Sequence, residues 1–296
     1  PRVKEALAEF NGPFFTDLAR RQVEAGAQAL DLNIGPRKKD GPEVMGWLLD
    51  QVCPGAPDAV FSLDTTNLAA IEAGLKKIPR GRAIINSTSA EPERLEKVPP
   101  VAAQYGAKLV ALTMGSGMIP VKADERVEIA LEKLIPRALE VGMPVEDLII
   151  DPLVLTVSGC QEYCPECIEA VRTLKFAWDP APTVSVGLSN VSNAVPREMR
   201  PLLNRVYMVM LMAAGVDMVI ADPFDEDLKE AIRIVEERDA STPVGNLYLT
   251  LYDRTVEMGE LEAADVDMRD PDQADIFKTV QVLLNKVIYT DSYLRL

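Results

Sequence analysis

The sequence predicts a (β/α)8 TIM barrel, and two repeated features support this fold class. Seven short apolar runs each end in a polar residue, and each run is followed by sequence of helical character. The polar residues stand at positions 31, 64, 86, 113, 151, 190 and 222, so neighbouring ones are 22 to 39 residues apart. This is the length of one strand plus one helix, and its repetition is typical of a parallel sheet covered by helices.

The predicted elements follow one another in a regular order. Two helices come first, at about residues 3–9 and 16–25, and the second ends at Gly26. A further helix begins at Asn67, and an amphipathic helix is predicted for residues 225–237. The seven strands are predicted at residues 29–33, 60–64, 83–86, 109–113, 148–151, 183–186 and 218–222.

The pattern becomes less regular after the seventh strand. Residues from about 239 to 271 contain Pro, Gly and Asp with poor periodicity, and we interpret them as an insertion into a single barrel domain spanning 1–296. A final helix is predicted for 274–288, just after Pro271. Because a complete barrel has eight strands, we expect residues before Pro1 to supply the first one, which is missing from the chain as given.

An open, doubly wound sheet is the competing fold. Such a sheet brings together only the loops near the point where its strand order reverses. A barrel gathers the loops from all its strands around one site. Since nearly every predicted strand offers a polar residue at its carboxyl end, the barrel is favoured.

The composition excludes several functional classes. The chain has no histidine, which excludes His-based triads, His acid–base catalysis and His-ligated metal sites. Its formal net charge of −15 disfavours nucleic acid and anionic membrane surfaces, because both require clustered Lys and Arg. No apolar run could span a bilayer and no signal peptide is evident, so we expect a soluble, cytoplasmic protein.

Four of the polar strand ends are candidate ligand-binding residues. Asp64, Asn86, Asp151 and Asn190 close apolar strands at the same end of the predicted barrel, so we expect their side chains to converge on one cavity. Buried carboxylates and amides need hydrogen-bonding partners, and no basic motif lies beside them. A pterin offers a 2-amino group, ring N–H groups and a carbonyl, and fits this need. Helix capping or loop orientation is the alternative interpretation.

The motifs around these residues resemble, in order, those of the pterin-binding methyltransferases. The resemblance is strongest to the methyltetrahydrofolate:corrinoid/iron–sulfur protein methyltransferases and covers about residues 18–225 and 273–293. It is carried by DLNIG (31–35), LDTTN (63–67), INST (85–88), IDPL (150–153), LSNVS (188–192), IEAGLKK (71–77), RPLLNR (200–205) and LLN (283–285) with Tyr289.

This resemblance implies transfer of the N5-methyl group of methyltetrahydrofolate to the Co(I) centre of a corrinoid (cobalamin) on a partner protein. In such an enzyme Asn190 would hydrogen-bond N5 as the catalytic residue, and Arg200 would position the folate or its loop. The resemblance also implies a homodimer in one-carbon metabolism, with the corrinoid partner serving acetyl-CoA synthesis or demethylation of methoxy compounds. The substrate-binding set that it implies consists of Asp64, Asn86, Asp151, Ser189, Arg200, Asp31 and Asn33.

Three clustered cysteines depart from the family pattern. Cys160, Cys164 and Cys167 have the spacing C-x3-C-x2-C, with which thiolates can hold an iron–sulfur cluster. In the enzymes that use this spacing for a cluster, however, it follows the first strand, whereas here it follows the strand that ends at Asp151. We therefore favour reduced, unliganded thiols over an iron–sulfur or zinc site. Cys53 stands alone, and no disulfide framework is expected.

Two other functions remain as alternatives. A dihydropteroate synthase would share the barrel and the residues at the pterin edge, but it needs basic residues for a pyrophosphate, and residues 218–225 contain none. A non-catalytic barrel subunit of a corrinoid protein would bind no folate. It would give no reason for Asp64, Asn86, Asp151 and Asn190 to occur together.

Overall fold

The computed structural model of the chain describes residues 2–295 and confirms the predicted TIM-barrel fold class. Its strands pair in sequential order, each beside the next along the chain. The described residues form seven strands, which are β1 (Ala29–Asn33), β2 (Val60–Asp64), β3 (Ala83–Ser89), β4 (Lys108–Leu112), β5 (Leu148–Asp151), β6 (Thr183–Gly187) and β7 (Met218–Ile220).

Helices connect these strands, as parallel pairing requires. They are α1 (Arg2–Ala8), α2 (Gly12–Glu24), α3 (Gly41–Val52), α4 (Leu68–Leu75), α5 (Pro92–Tyr105), α6 (Ala123–Ile129), α7 (Ile135–Glu140), α8 (Val157–Cys160), α9 (Tyr163–Ala177), α10 (Arg200–Ala214), α11 (Glu226–Glu237), α12 (Pro243–Val256) and α13 (Pro271–Leu283). A π-helical turn, Ala130–Leu134, joins α6 to α7, and short 3₁₀ turns occupy Val145–Asp147, Leu188–Ser192, Ala263–Asp265 and Tyr293–Arg295.

Local sequence sets the ends of several helices. The Asn67 side chain accepts a hydrogen bond from the amide of Ala70, so it caps the start of α4 at the predicted position. Gly106 and Gly215 adopt left-handed backbone conformations, with φ of 61° and 100°, and end α5 and α10.

Gly74 allows α4 to lie close against β2. A Cβ atom at this position would stand 2.9 Å from Cδ1 of Leu63, a fully buried side chain of the strand. Because helix packing over Leu63 requires this close approach, a larger residue would push α4 away from the strand that carries Asp64.

The chain divides into two compact units. One contains the residues up to Met118 together with Ile129–Ile150, and the other contains Ile119–Glu128 and the residues from Asp151 onward. The first unit has its core around Leu63 and Ile85, and the second around Leu203 and Val280. All four side chains are fully buried.

The end of the chain differs in detail from the sequence prediction. Helix α12 lies inside the stretch 239–271 that the sequence indicated as an insertion, and it packs against α10 and α11. The final helix begins at Pro271 and ends at Leu283, so it starts earlier and is shorter than the predicted 274–288. Within residues 2–295, no helix has the length and apolar character to cross a membrane.

Candidate active site

Four of the predicted site residues meet at the carboxyl ends of β1, β2 and β3. Asn33, Asp64 and Asn86 occupy neighbouring positions in the parallel register. Nδ2 of Asn33 donates to Oδ2 of Asp64 at 2.6 Å, and Nδ2 of Asn86 donates to Oδ1 of Asp31 at 3.3 Å. The Ser62 hydroxyl donates to the same Asp31 oxygen at 2.6 Å. The strand ends therefore form one connected cluster of carboxylates and amides.

Two carboxylates stand side by side in this cluster. Burial raises the pKa of Asp64 to about 6, the neighbouring Asp31 adds to this increase, and the hydrogen bond from Asn33 opposes it. A nearby like charge disfavours the charged form of a partly buried carboxyl. At neutral pH Asp64 is therefore mainly a carboxylate acceptor, and it gains a proton under mildly acidic conditions.

Arg94 fixes the backbone that follows two of these residues, and the sequence did not indicate this role. The guanidinium donates from Nη1 to the carbonyl of Thr66 at 2.9 Å, and from Nη2 to the carbonyl of Ser87. These carbonyls follow Asp64 and Asn86 in the chain by two residues and one residue. Burial lowers the pKa of Arg94. Arg94 thus ties together the segments after β2 and β3.

A cavity of about 560 Å³ adjoins the cluster. This volume is within the range of small-molecule sites in proteins. Two residues of the cluster, Asn33 and Asp64, and the loop after β1 contribute to its wall. The wall consists of Asn33, Gly35, Pro36, Arg37, Lys38, Asp64, Thr65, Thr66 and Asn67.

In the second unit, Asp151 ends β5 and accepts a hydrogen bond from the amide of Leu153 at 2.8 Å. Leu153 has a φ of 71°, so the chain turns sharply just after the carboxylate. Burial raises the pKa of Asp151 to about 6, against the opposing effects of the Leu153 amide and the Arg126 charge. Asp151 is thus a half-buried acceptor at the strand end where the sequence predicts one.

Arg126 holds the turn after Asp151, and sequence reasoning missed it. Its side chain is fully buried, Nη1 donates to the carbonyls of Pro152 and Leu153 at 2.8 and 3.1 Å, and Nε donates to the carbonyl of Pro120 at 3.0 Å. The guanidinium lies 5.5 Å from the ring centre of Tyr163. Within the described residues, Nη2 is a buried polar atom without a hydrogen-bond partner.

The raised pKa of Asp151 predicts how stability depends on pH. A carboxyl whose pKa is higher in the folded state contributes stability below its unfolded pKa, and this contribution is lost as pH rises through the folded value of about 6. We therefore expect Asp151→Asn to increase the free energy of unfolding by about 1–3 kcal/mol at about pH 8, with the difference vanishing near pH 4.

Urea unfolding of both proteins across this pH range measures the effect. Asp58→Asn is the matched control, because Asp58 is exposed in the turn before β2. A stability difference for Asp151→Asn that does not change with pH would contradict the buried-carboxylate explanation.

Asn190 lies in the 3₁₀ turn Leu188–Ser192 and is exposed, as is Ser189. Its Oδ1 accepts from Nδ2 of Asn193 at 3.2 Å. A Cβ atom on Gly187 would stand 3.0 Å from Nδ2 of Asn190, so the amide nitrogen lies over the end of β6. In residues 2–295 this nitrogen donates no hydrogen bond, which leaves it available to a ligand.

Two contacts hold the loop that carries Asn190. Nε of Arg200 donates to the carbonyl of Val195 at 2.7 Å. The Thr156 hydroxyl donates to the carbonyl of Asn193, which links this loop to the segment after Asp151.

The cysteines form no disulfide, and all four are free thiols. Burial raises the pKa of Cys164 far above its usual range and that of Cys167 to about 11. The hydroxyl of Tyr207 donates to the Cys164 carbonyl at 2.8 Å. Within residues 2–295, no three His, Cys, Asp or Glu side chains are placed to ligate a metal ion together. The two buried thiols are therefore neutral at physiological pH.

The chain matches the family described as pterin binding enzyme over residues 10–222, which is more than half of its length. It belongs to this family. The pterin-binding fold is also seen in solved dihydropteroate synthases from Yersinia pestis (TM-score 0.55, 19% identity, 74% of this chain and 86% of that chain) and Stenotrophomonas maltophilia (TM-score 0.59, 17% identity, 82% and 90%). These similarities support the shared fold.

This pterin-binding enzyme is more similar in sequence to a methionine synthase. It is 32% identical to the methionine synthase of Mycobacterium tuberculosis over 213 residues, which cover 69% of this chain. The aligned part is 18% of that methionine synthase, so the chain spans a small fraction of its relative's length.

Proposed function

We propose that this pterin-binding enzyme transfers the N5-methyl group of methyltetrahydrofolate to the Co(I) centre of a corrinoid on a partner protein. The observation that carries the proposal is the 32% identity to a methionine synthase over 213 residues, because it fits methyl transfer from a folate. The similar dihydropteroate synthases share 17–21% identity with this chain, which supports the fold alone. A homodimer remains part of the proposal.

The strand-end cluster supports recognition of a pterin ring. The Asp31–Asp64 pair offers carboxylate acceptors for the ring N–H and the 2-amino group. The amide nitrogen of Asn86 donates to Asp31 at the long distance of 3.3 Å, so it could also donate to the ring carbonyl. We also propose Asp151, Ser189 and Asn33 as substrate-binding residues.

The chemistry requires help at N5. A tertiary amine is a poor leaving group, so N5 must gain positive character as its bond to the methyl carbon breaks. The electron pair of that bond remains on N5, which takes a proton from solvent, while the carbon forms a new bond to cobalt. Since the corrinoid supplies the nucleophile, the chain needs no activated Ser, Cys or Lys. Asn190 would stabilise N5 through its amide.

Spectroscopy with a defined acceptor tests the function. The protein is titrated with methyltetrahydrofolate, Co(I) corrinoid is then added, and formation of methyl-Co(III) is followed by its absorption. We expect saturable binding and enzyme-dependent methyl-Co(III). A parallel reaction with hydroxymethyl-dihydropterin pyrophosphate and p-aminobenzoate tests the alternative. Formation of dihydropteroate, without methyl-Co(III), would reject the methyltransferase.

A further inference from the structure

The loop after β1 is held in place beside the strand-end cluster. The Gly35 amide donates to Oδ1 of Asn33 at 2.7 Å, and Gly35 has a φ of 72°, which a glycine adopts readily. The Arg37 amide donates to the Gly35 carbonyl at 2.8 Å, and Nδ2 of Asn67 donates to the Arg37 carbonyl at 3.0 Å. This wall of the cavity is therefore built before a ligand binds.

Two cations line the cavity, and they differ in their partners. The Arg37 guanidinium forms an ion pair with Asp40. Lys38 is exposed and, among the described residues, has no carboxylate within ion-pair distance. Lys39 is also exposed but is not part of the lining. In a chain with 46 acidic and 31 basic residues, an exposed lysine on a cavity wall with no carboxylate beside it suits an anionic ligand.

The rest of the lining suits a long ligand. Asn33 and Asp64 belong to the proposed pterin site, and the segment Thr65–Asn67 continues the wall beyond them toward α4. The volume of about 560 Å³ is that of a site for a drug-sized molecule, which is larger than a bicyclic ring. A folate extends from its ring through an aminobenzoyl group to glutamyl carboxylates, so one molecule supplies both a donor-rich ring and an anionic end.

We propose that this cavity holds the glutamyl tail of the folate, and that Lys38 binds its carboxylates. The inference rests on the proposed function, since it takes the Asn33–Asp64 end of the cavity as the pterin end. Lys38 then selects for glutamylated folates over pterins that lack the amino acid. Because its ammonium is flexible and exposed, the selection is modest and depends on salt.

The test compares two ligands that differ only in the tail. Dissociation constants of methyltetrahydrofolate and of the primary amide of methyltetrahydropteroate, in which an uncharged carboxamide stands where folate carries glutamate, are measured by calorimetry for the wild type. We expect the folate to bind about two- to fivefold more tightly, as one exposed ion pair allows. The ratio of the two dissociation constants, that of the glutamate-free ligand divided by that of the folate, should fall toward one in Lys38→Gln and below one in Lys38→Glu. The matched control Lys39→Gln should keep the wild-type ratio.

The outcomes separate the two proposals. Failure of the wild type to bind either compound would reject the proposed function, and this inference with it. Equal affinity of the wild type for both compounds would leave folate binding intact and reject the tail site. If Lys39→Gln lowers the ratio as much as Lys38→Gln, the preference comes from the general charge of the loop, and the assignment to Lys38 is wrong.

Discussion

Replacing Asn190 by alanine is expected to slow methyl transfer by about 100- to 1,000-fold while folate affinity changes by less than about threefold. This corresponds to about 2.7–4 kcal/mol, the usual cost of removing one donor that stabilises charge developing in a transition state. Asn190 suits this role because its Nδ2 donates to no residue in the described range, while Oδ1 is engaged by Asn193. Single-turnover formation of methyl-Co(III) gives the rate, and calorimetry gives the affinity.

Asn193→Ala distinguishes orientation from direct action at N5. This variant keeps the Asn190 amide but removes the hydrogen bond that orients it at 3.2 Å. We expect a loss of about tenfold or less, since a neutral hydrogen bond contributes about 0.5–1.5 kcal/mol. An equal loss in both variants would mean that the loop, and not the Asn190 amide, carries the effect. Unchanged turnover in Asn190→Ala would reject its catalytic assignment.

The strands were predictable because buried parallel strands have a simple sequence pattern. The predicted bounds of β1, β2 and β5 agree with the structure, since each is a short, mainly apolar run closed by an Asp or Asn. β3 extends three residues further than predicted, through the polar segment 87–89. There, Thr88 and Ser89 are buried, and the Thr88 hydroxyl donates to the Arg94 carbonyl. This tertiary contact has no sequence pattern.

The polar residues of the candidate site were predictable one at a time, but their pairing was not. Position at a strand end identifies Asp64 and Asn86 from the sequence. The burial of Asp64 and its contact with Asp31, which together raise its pKa, depend on which strands lie side by side. Lys38 and Lys39 are adjacent lysines in the sequence, and only the cavity wall, which includes Lys38 and not Lys39, distinguishes them.

The supporting arginines and one helix could not be predicted. Arginine is usually exposed, and Arg94 and Arg126 bind backbone carbonyls, which have the same chemistry at every position. Helix α12 contains Gly, Asn, Thr and Asp residues with low helix propensity, so its local pattern is weak. Packing of its buried Leu247 and Leu251 stabilises it instead, because α12 lies against α10.

Replacing Arg126 by methionine is expected to lower the free energy of unfolding by about 2–4 kcal/mol. The carbonyls of Pro120, Pro152 and Leu153 would lose their donor, and each unsatisfied buried group costs about 1–3 kcal/mol. Removing a fully buried charge offsets part of this loss, and methionine fills part of the volume. Lysine keeps the charge but lacks the forked donors, so Arg126→Lys should recover only part of the stability.

The same variant tests whether Arg126 positions Asp151. Because Arg126 holds the two carbonyls that follow this carboxylate, we expect Arg126→Met to weaken folate binding beyond its effect on the folded fraction. Arg137→Met is the matched control, since Arg137 also donates to two backbone carbonyls, those of Leu95 and Glu96, but adjoins no strand-end residue of the candidate site.

The stabilities of both variants come from urea unfolding, and their folate affinities come from calorimetry under conditions where each variant is folded. Equal losses of folate affinity in the two variants would assign Arg126 a purely structural role, whereas a loss confined to Arg126→Met makes it a positioning residue for Asp151.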